Sequence, residues 1–142
     1  MLKLGTILAF IAATGLMALS MTAWGCGLPG STYMTVVNKT NGPITDCAPY
    51  SSIVGERPSL GLVDINQQGT LAACSAKLSA RSAGVVLCAT SYGNLYLQYD
   101  TRVLTKAKSS CNFSYDNQNW TACSNAKVSN FNGYCTCTIN NP

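Results

Sequence analysis

Apolar and polar positions alternate most densely between Leu60 and Asp100. Leu60–Ile65 (LGLVDI) reads as a strand, and Gly84–Thr90 (GVVLCAT) as a buried one. After the turn at Ser91-Tyr92-Gly93-Asn94, residues Leu95, Leu97 and Tyr99 share one face, with Tyr96 and Gln98 on the other. These two runs form the clearest hairpin in the chain. Tyr33–Asn38 (YMTVVN) predicts a strand upstream, and Arg102–Thr105 (RVLT) a short one downstream. Tyr134–Ile139 (YCTCTI) is a closing strand that puts Cys135, Cys137 and Ile139 on one face. Residues 42–59 contain Pro43, Pro49, Gly55 and Pro58 and read as a long loop, which Cys47 would fix through a disulfide. Thr70–Ala83 (TLAACSAKLSARSA) is ambiguous. Its alanines, the spacing of Leu71, Cys74 and Leu78, and Gly84 just beyond predict a helix capped by Thr70. Thr70-Leu71 also fits the continuation of a hairpin from Leu60.

The first 25 residues change the setting. Lys3 precedes an uncharged apolar run that closes on small residues, as in a secretory signal peptide, with cleavage expected after Gly25 or after Ser20. Residues 26–142 then form a single domain carrying +3, eight basic residues against five acidic. That charge is too mild and scattered to bind nucleic acid. It also lacks the basic amphipathic helix of a membrane-active peptide, so no stable membrane insertion is expected once the leader is gone.

Eight cysteines, an even number, point to an oxidising compartment and a disulfide scaffold. They allow 105 pairings. Two pairs have local logic. Cys74 and Cys88 flank a reversal at Ser79–Gly84, and Cys111 and Cys123 bracket a loop of similar size. Cys26, Cys47, Cys135 and Cys137 would then pair among themselves. Cys135 and Cys137, on one face of a strand, are expected to reach different partners. A zinc site at Cys135-Thr136-Cys137 would need wider spacing and four convergent ligands, so neither metal nor cofactor is expected.

The chain has no histidine. Ser-His-Asp and Cys-His nucleophile arrangements are therefore excluded. The acids Asp46, Glu56, Asp64, Asp100 and Asp116 stand singly, and a carbohydrate-active enzyme would have to work with these alone. The expectation is a protein without catalysis that acts through its surface. Tyr92, Tyr96, Tyr115 and Trp120 lie among polar residues and form the candidate recognition patch. Asn38, Asn112 and Asn119 begin glycosylation sequons.

These features resemble the small cysteine-rich proteins secreted by filamentous fungi, many of them plant-colonising effectors. More narrowly, Ser59-Leu60-Gly61-Leu62, Gly69-Thr70-Leu71, Cys74-Ser75-Ala76, Cys88 and Tyr99-Asp100 are similar to the major Alternaria allergen family. The interval Cys111–Cys123 is similar to that family's second disulfide loop. The resemblance implies a β-barrel, disulfides Cys74–Cys88 and Cys111–Cys123, and a secreted elicitor or inhibitor of plant defence proteins. This chain is shorter between Asp100 and Cys111 and adds Cys47, Cys135 and Cys137. The hydrophobins, which also have eight cysteines, carry adjacent Cys-Cys doublets that are absent here.

The expected fold is a small disulfide-stabilised β-rich domain, an antiparallel sheet of barrel or sandwich type with one helix near 70–83. The alternative is α+β, a helix packed on an antiparallel sheet. The expected function is binding of a host (plant) protein in the extracellular space, triggering or modulating defence. The alternatives are a membrane-active or antimicrobial toxin and an acid-only carbohydrate-active enzyme.

Overall fold

The computed structural model describes residues 26–76 and 79–142. The expected leader over 1–25 lies outside the described residues, as do Lys77 and Leu78. Nine strands follow: β1 (Thr32–Lys39), β2 (Thr45–Val54), β3 (Gln68–Ala73), β4 (Arg81–Thr90), β5 (Gly93–Arg102), β6 (Lys108–Ser114), β7 (Thr121–Ala122), β8 (Ser124–Ser129) and β9 (Asn132–Asn140). They form a four-stranded sheet, β3-β1-β9-β8, and a five-stranded sheet, β2-β4-β5-β6-β7. The sheets face each other across one apolar core. Met34, Val36, Leu71, Cys137 and Ile139 come from the first sheet, and Val86, Leu95, Leu97 and Tyr99 from the second. The strict alternation in β1, β5 and β9 supplies these inward positions. Every strand pair is antiparallel except β1–β9, which is parallel from Thr32↔Gly133 to Lys39↔Asn140. A parallel pair needs a long crossover, and here the whole five-stranded sheet lies between the two strands in sequence.

No helix occurs among the described residues. The expected helix over 70–83 is instead split between two sheets. Leu71 and Ala73 point inward from β3, which pairs with β1 (Met34↔Leu71, Thr32↔Ala73), and Arg81 already opens β4. Burial and cross-strand pairing outweigh the mild helix preference of alanine. Leu60–Ile65 is not a strand. Leu60 and Val63 are buried, but only isolated bridges, Ile44↔Val63 and Ser59↔Ala72, tie the segment down. The long loop expected over 42–59 contains β2, an edge strand whose irregular register tolerates Pro49. Arg102–Thr105 adds no strand, because Arg102 ends β5. The hairpin of β4 and β5 is as expected, with Gly93 at φ +97° completing its turn.

The disulfides are Cys26–Cys74, Cys47–Cys88, Cys111–Cys135 and Cys123–Cys137. The pairs Cys74–Cys88 and Cys111–Cys123, and the mutual pairing of Cys26, Cys47, Cys135 and Cys137, are therefore corrected. Cys74 follows β3 in one sheet while Cys88 sits in β4 of the other, so they do not flank a hairpin. β2 runs beside β4 with Ala48 opposite Leu87, and this places Cys47 next to Cys88. Cys111 and Cys123 are indeed neighbours, the Cys123 amide donating to the Cys111 carbonyl at 2.9 Å. Their sulfurs nevertheless cross to β9, where period-two alternation turns Cys135 and Cys137 inward to meet one each. Four disulfides fit an oxidising, extracellular setting.

One end of the core is polar. Thr32 Oγ1 lies 2.7 Å from Ser82 Oγ and donates to Thr101 Oγ1 at 2.8 Å, and Thr101 Oγ1 lies 3.0 Å from Ser109 Oγ. All four residues are buried, and they come from β1, β4, β5 and β6, so hydroxyls bridge the two sheets where side chains are too short to interdigitate. Tyr99, wholly buried near Gly84, keeps a hydroxyl without a partner. Burial pushes its phenol up to about 12.

Candidate functional site

The two outer faces of the sandwich differ in chemistry. On the five-stranded face, the outward side of β5 presents Tyr96, Gln98, Asp100 and Arg102, opposite Leu87, Val85, Ala83 and Arg81 of β4. Tyr50 of β2 meets Tyr96 edge to face, with centroids 5.3 Å apart at 77°. Arg81 donates to both carboxylate oxygens of Asp100, at 3.2 and 3.1 Å, and Arg102 reaches Oδ2 at 3.5 Å. Burial alone would raise the Asp100 carboxyl, but the two guanidiniums donate to it and attract it, holding it below the usual carboxylate range. The fork in turn raises Arg81.

A depressed folded-state value means the ion pairs stabilise above the unfolded aspartate range and are lost as pH falls through the folded one. The groups are about one-third or more exposed, so the contribution should stay below about 1 kcal/mol. Unfolding in urea near pH 6 and near pH 3 should show Asp100→Asn flattening the acid-side loss relative to the parent. An unchanged profile would remove Asp100 as a contributor.

The four-stranded face is arranged in rungs. Register aligns Ala72, Tyr33, Tyr134 and Lys127 across β3, β1, β9 and β8, and then Thr70, Thr35, Thr136 and Ser124. The sequence runs Tyr33-Met34-Thr35-Val36 and Tyr134-Cys135-Thr136-Cys137 match position for position, with tyrosine and threonine outward and apolar residues inward. The Tyr33 and Tyr134 rings stack at 5.6 Å and 24°. A register shift in β8 between Ser124 and Lys127 lifts Asn125 and Ala126 beside the face, closing a groove of about 920 Å³.

The expected patch of Tyr92, Tyr96, Tyr115 and Trp120 is not one surface. Tyr96 belongs to the five-stranded face. Tyr92 sits at the β4–β5 turn, its hydroxyl accepting from Asn41 Nδ2 at 3.2 Å. Tyr115 packs against the core and donates to the Asn140 carbonyl at 2.7 Å. Burial raises its phenol first, with Tyr92 adding to the shift. Trp120 is half-buried ahead of β7 and stacks on none of these rings. Strand alternation separates side chains that sequence proximity groups together. Tyr33, Tyr134, Tyr50, Arg81 and Arg102 enter the two faces without having been singled out. The matched Tyr-x-Thr-x runs at 33–36 and 134–137 were the available signal for the first two.

The sequons also part company. Asn38 is fully buried. Its Nδ2 donates to the Gly42 and Val63 carbonyls, each at 2.9 Å, and its Oδ1 accepts from the Thr40 amide and hydroxyl. A glycan on that nitrogen is incompatible with this fold. Asn112 is half-buried on the five-stranded face, and Asn119 is exposed with Nδ2 bonded to the Asp116 carboxylate.

Asp116 closes its own loop, accepting first from the amide and side chain of Asn119, then from Gln118 and Ser114, which holds its carboxyl far below the usual range. Asp100 is engaged with arginines. Among the described residues no three His, Cys, Asp or Glu side chains converge as a metal site would need, and no helix is long and apolar enough to cross a membrane. Comparison with protein-family models and with curated proteins found no match.

Proposed function

We propose that the chain is a secreted, disulfide-locked contact protein of the effector kind. Its partner is a host (plant) protein, and the five-stranded face engages it. The observation that carries this reading is the Tyr50–Tyr96 pair on the same pleated surface as Arg81 and Arg102, both held by Asp100. Tyrosine and arginine are the residues that dominate protein-binding hot spots. Both kinds are pre-oriented here, the tyrosines by ring contact and the arginines by the shared carboxylate, so less side-chain freedom is lost on association. The disulfide framework holds the strands that carry them. The resemblance to cysteine-rich fungal effectors supports a host protein as the partner.

The test is capture from plant extracellular fluid with the oxidised protein, read by mass spectrometry. One host protein should be enriched by the parent. The variant Tyr96→Ala should lose it by about tenfold or more, with its thermal unfolding unchanged. Enrichment that survives both Tyr96→Ala and Arg102→Ala would remove this face from the function.

A further inference from the structure

We infer that the groove on the four-stranded face is a binding site for a neutral oligosaccharide. It lies on the sheet opposite the proposed protein-contact face and does not depend on that reading. Its chemistry is the first argument. The lining mixes hydroxyls (Thr35, Thr70, Thr136), side-chain amides (Asn125, Asn132) and two tyrosine rings, with Lys127 the one charged side chain among them. Hydroxyls and amides both donate and accept, as a polyhydroxylated ligand requires. A carboxylate, by contrast, only accepts, and none lines the groove.

The second argument is what the groove lacks. The most exposed large apolar residues, Leu62, Leu104, Phe131, Tyr50, Tyr92 and Ile65, all lie outside it. A protein partner would be expected to use such anchors, seated in a desolvated centre. A sugar ring needs something different: an aromatic surface for its C–H face and hydrogen-bonding groups around its rim. The Tyr33–Tyr134 stack, with threonine rungs beside it, provides both.

Size and one orphaned atom complete the case. The groove crosses four strands, about 14 Å at ordinary strand spacing. Its volume of about 920 Å³ is near the upper limit of small-molecule clefts. That suits a chain of several sugar rings better than a single one. Asn132 Oδ1, in the groove wall, is buried with no hydrogen-bond partner. Buried acceptors are seldom left unpaired, and a ligand hydroxyl would supply the missing donor.

The experiment is calorimetric titration of the oxidised protein with hexasaccharides of β-1,4-glucose, β-1,3-glucose, β-1,4-xylose, β-1,4-mannose and β-1,4-N-acetylglucosamine, and with hexagalacturonate as the anionic comparison. At least one neutral hexasaccharide should bind and exceed hexagalacturonate. Tyr134→Ala should weaken it by about tenfold or more, and Asn132→Ala should weaken it measurably, while Tyr96→Ala leaves it unchanged. Circular dichroism and thermal unfolding of each variant separate lost contact from lost fold, and Thr136→Ala serves if Tyr134→Ala does not fold. The inference is overturned if no neutral hexasaccharide binds, if hexagalacturonate binds best, or if binding ignores the groove substitutions. Because host-protein capture is read through Tyr96 and Arg102, either result can fail while the other stands.

Discussion

Replacing Cys111 and Cys135 together by alanine should lower the unfolding free energy by about 3–5 kcal/mol, more than the loss of Cys47–Cys88. Loop closure alone does not single this bond out. Its sequence separation is 24, against 41 for Cys47–Cys88, and the chain-entropy estimate differs by only about 0.5 kcal/mol, in favour of the longer loop. The reason lies in what each bond joins. Cys47–Cys88 connects β2 and β4, which already pair within one sheet. Cys111–Cys135 connects β6 of the five-stranded sheet to β9 of the four-stranded sheet, and between those sheets there is side-chain packing but no strand ladder. Both its cysteines are almost fully buried in the shared core, so alanines also leave unfilled volume. For a domain of this size the loss corresponds to a fall in Tm of roughly 10–25 °C. Thermal and urea unfolding of the two double variants, side by side, gives the answer. If the Cys47/Cys88 variant proves the weaker of the two, the cross-sheet bond is not the principal staple.

That asymmetry also shows which features the chain spells out locally. The β4–β5 hairpin was legible because its inward residues, Val86, Cys88, Leu95 and Leu97, alternate strictly around a Gly93 turn. β9 was legible for the same reason, and so was the conclusion that Cys135 and Cys137 go to different partners. β3 was missed because an alanine-rich run satisfies helix and strand patterns equally until its neighbour is known. That neighbour, β1, lies more than thirty residues away in sequence. β8 was missed because most of its residues face solvent, and β6 because two of its three buried residues, Ser109 and Ser114, are serines, so both carry little apolar signal. The disulfide map depends on which strands share a sheet, and no local pattern encodes that. The recognition faces share this limit. Tyr96 could be picked out as an outward tyrosine, but its companion Tyr50 comes from a segment read as loop, and the Tyr33–Tyr134 pair rests on a parallel contact between the first and last strands.

The polar end of the core leads to the second large effect, expected from a single methyl group. Gly133→Ala should destabilise the protein by about 3 kcal/mol or more. Gly133 occupies an inward position of β9, opposite Thr32 of β1, where a side chain would enter the space filled by Thr101 and Ser109 from the other sheet. A Cβ there would collide with Thr101 Oγ1 and crowd Ser109 Oγ at 2.6 Å. Neither hydroxyl can retreat without breaking the chain that runs from Ser82 through Thr32 to Thr101 and Ser109. The added methyl therefore overpacks the site and also orphans buried hydroxyls. Thr101→Ala alone should cost about 1–3 kcal/mol, because it leaves Thr32 and Ser109 short of a partner. The combination is the diagnostic variant. With the Thr101 hydroxyl and methyl gone, the worst clash is removed and Ser109, released from its Thr101 partner, can turn aside, so Gly133→Ala/Thr101→Ala should be more stable than the sum of the two single losses, by about 1 kcal/mol or more. Strict additivity in urea unfolding would mean that the cost at Gly133 does not come from Thr101, and that the hydroxyl cluster does not set the distance between the sheets.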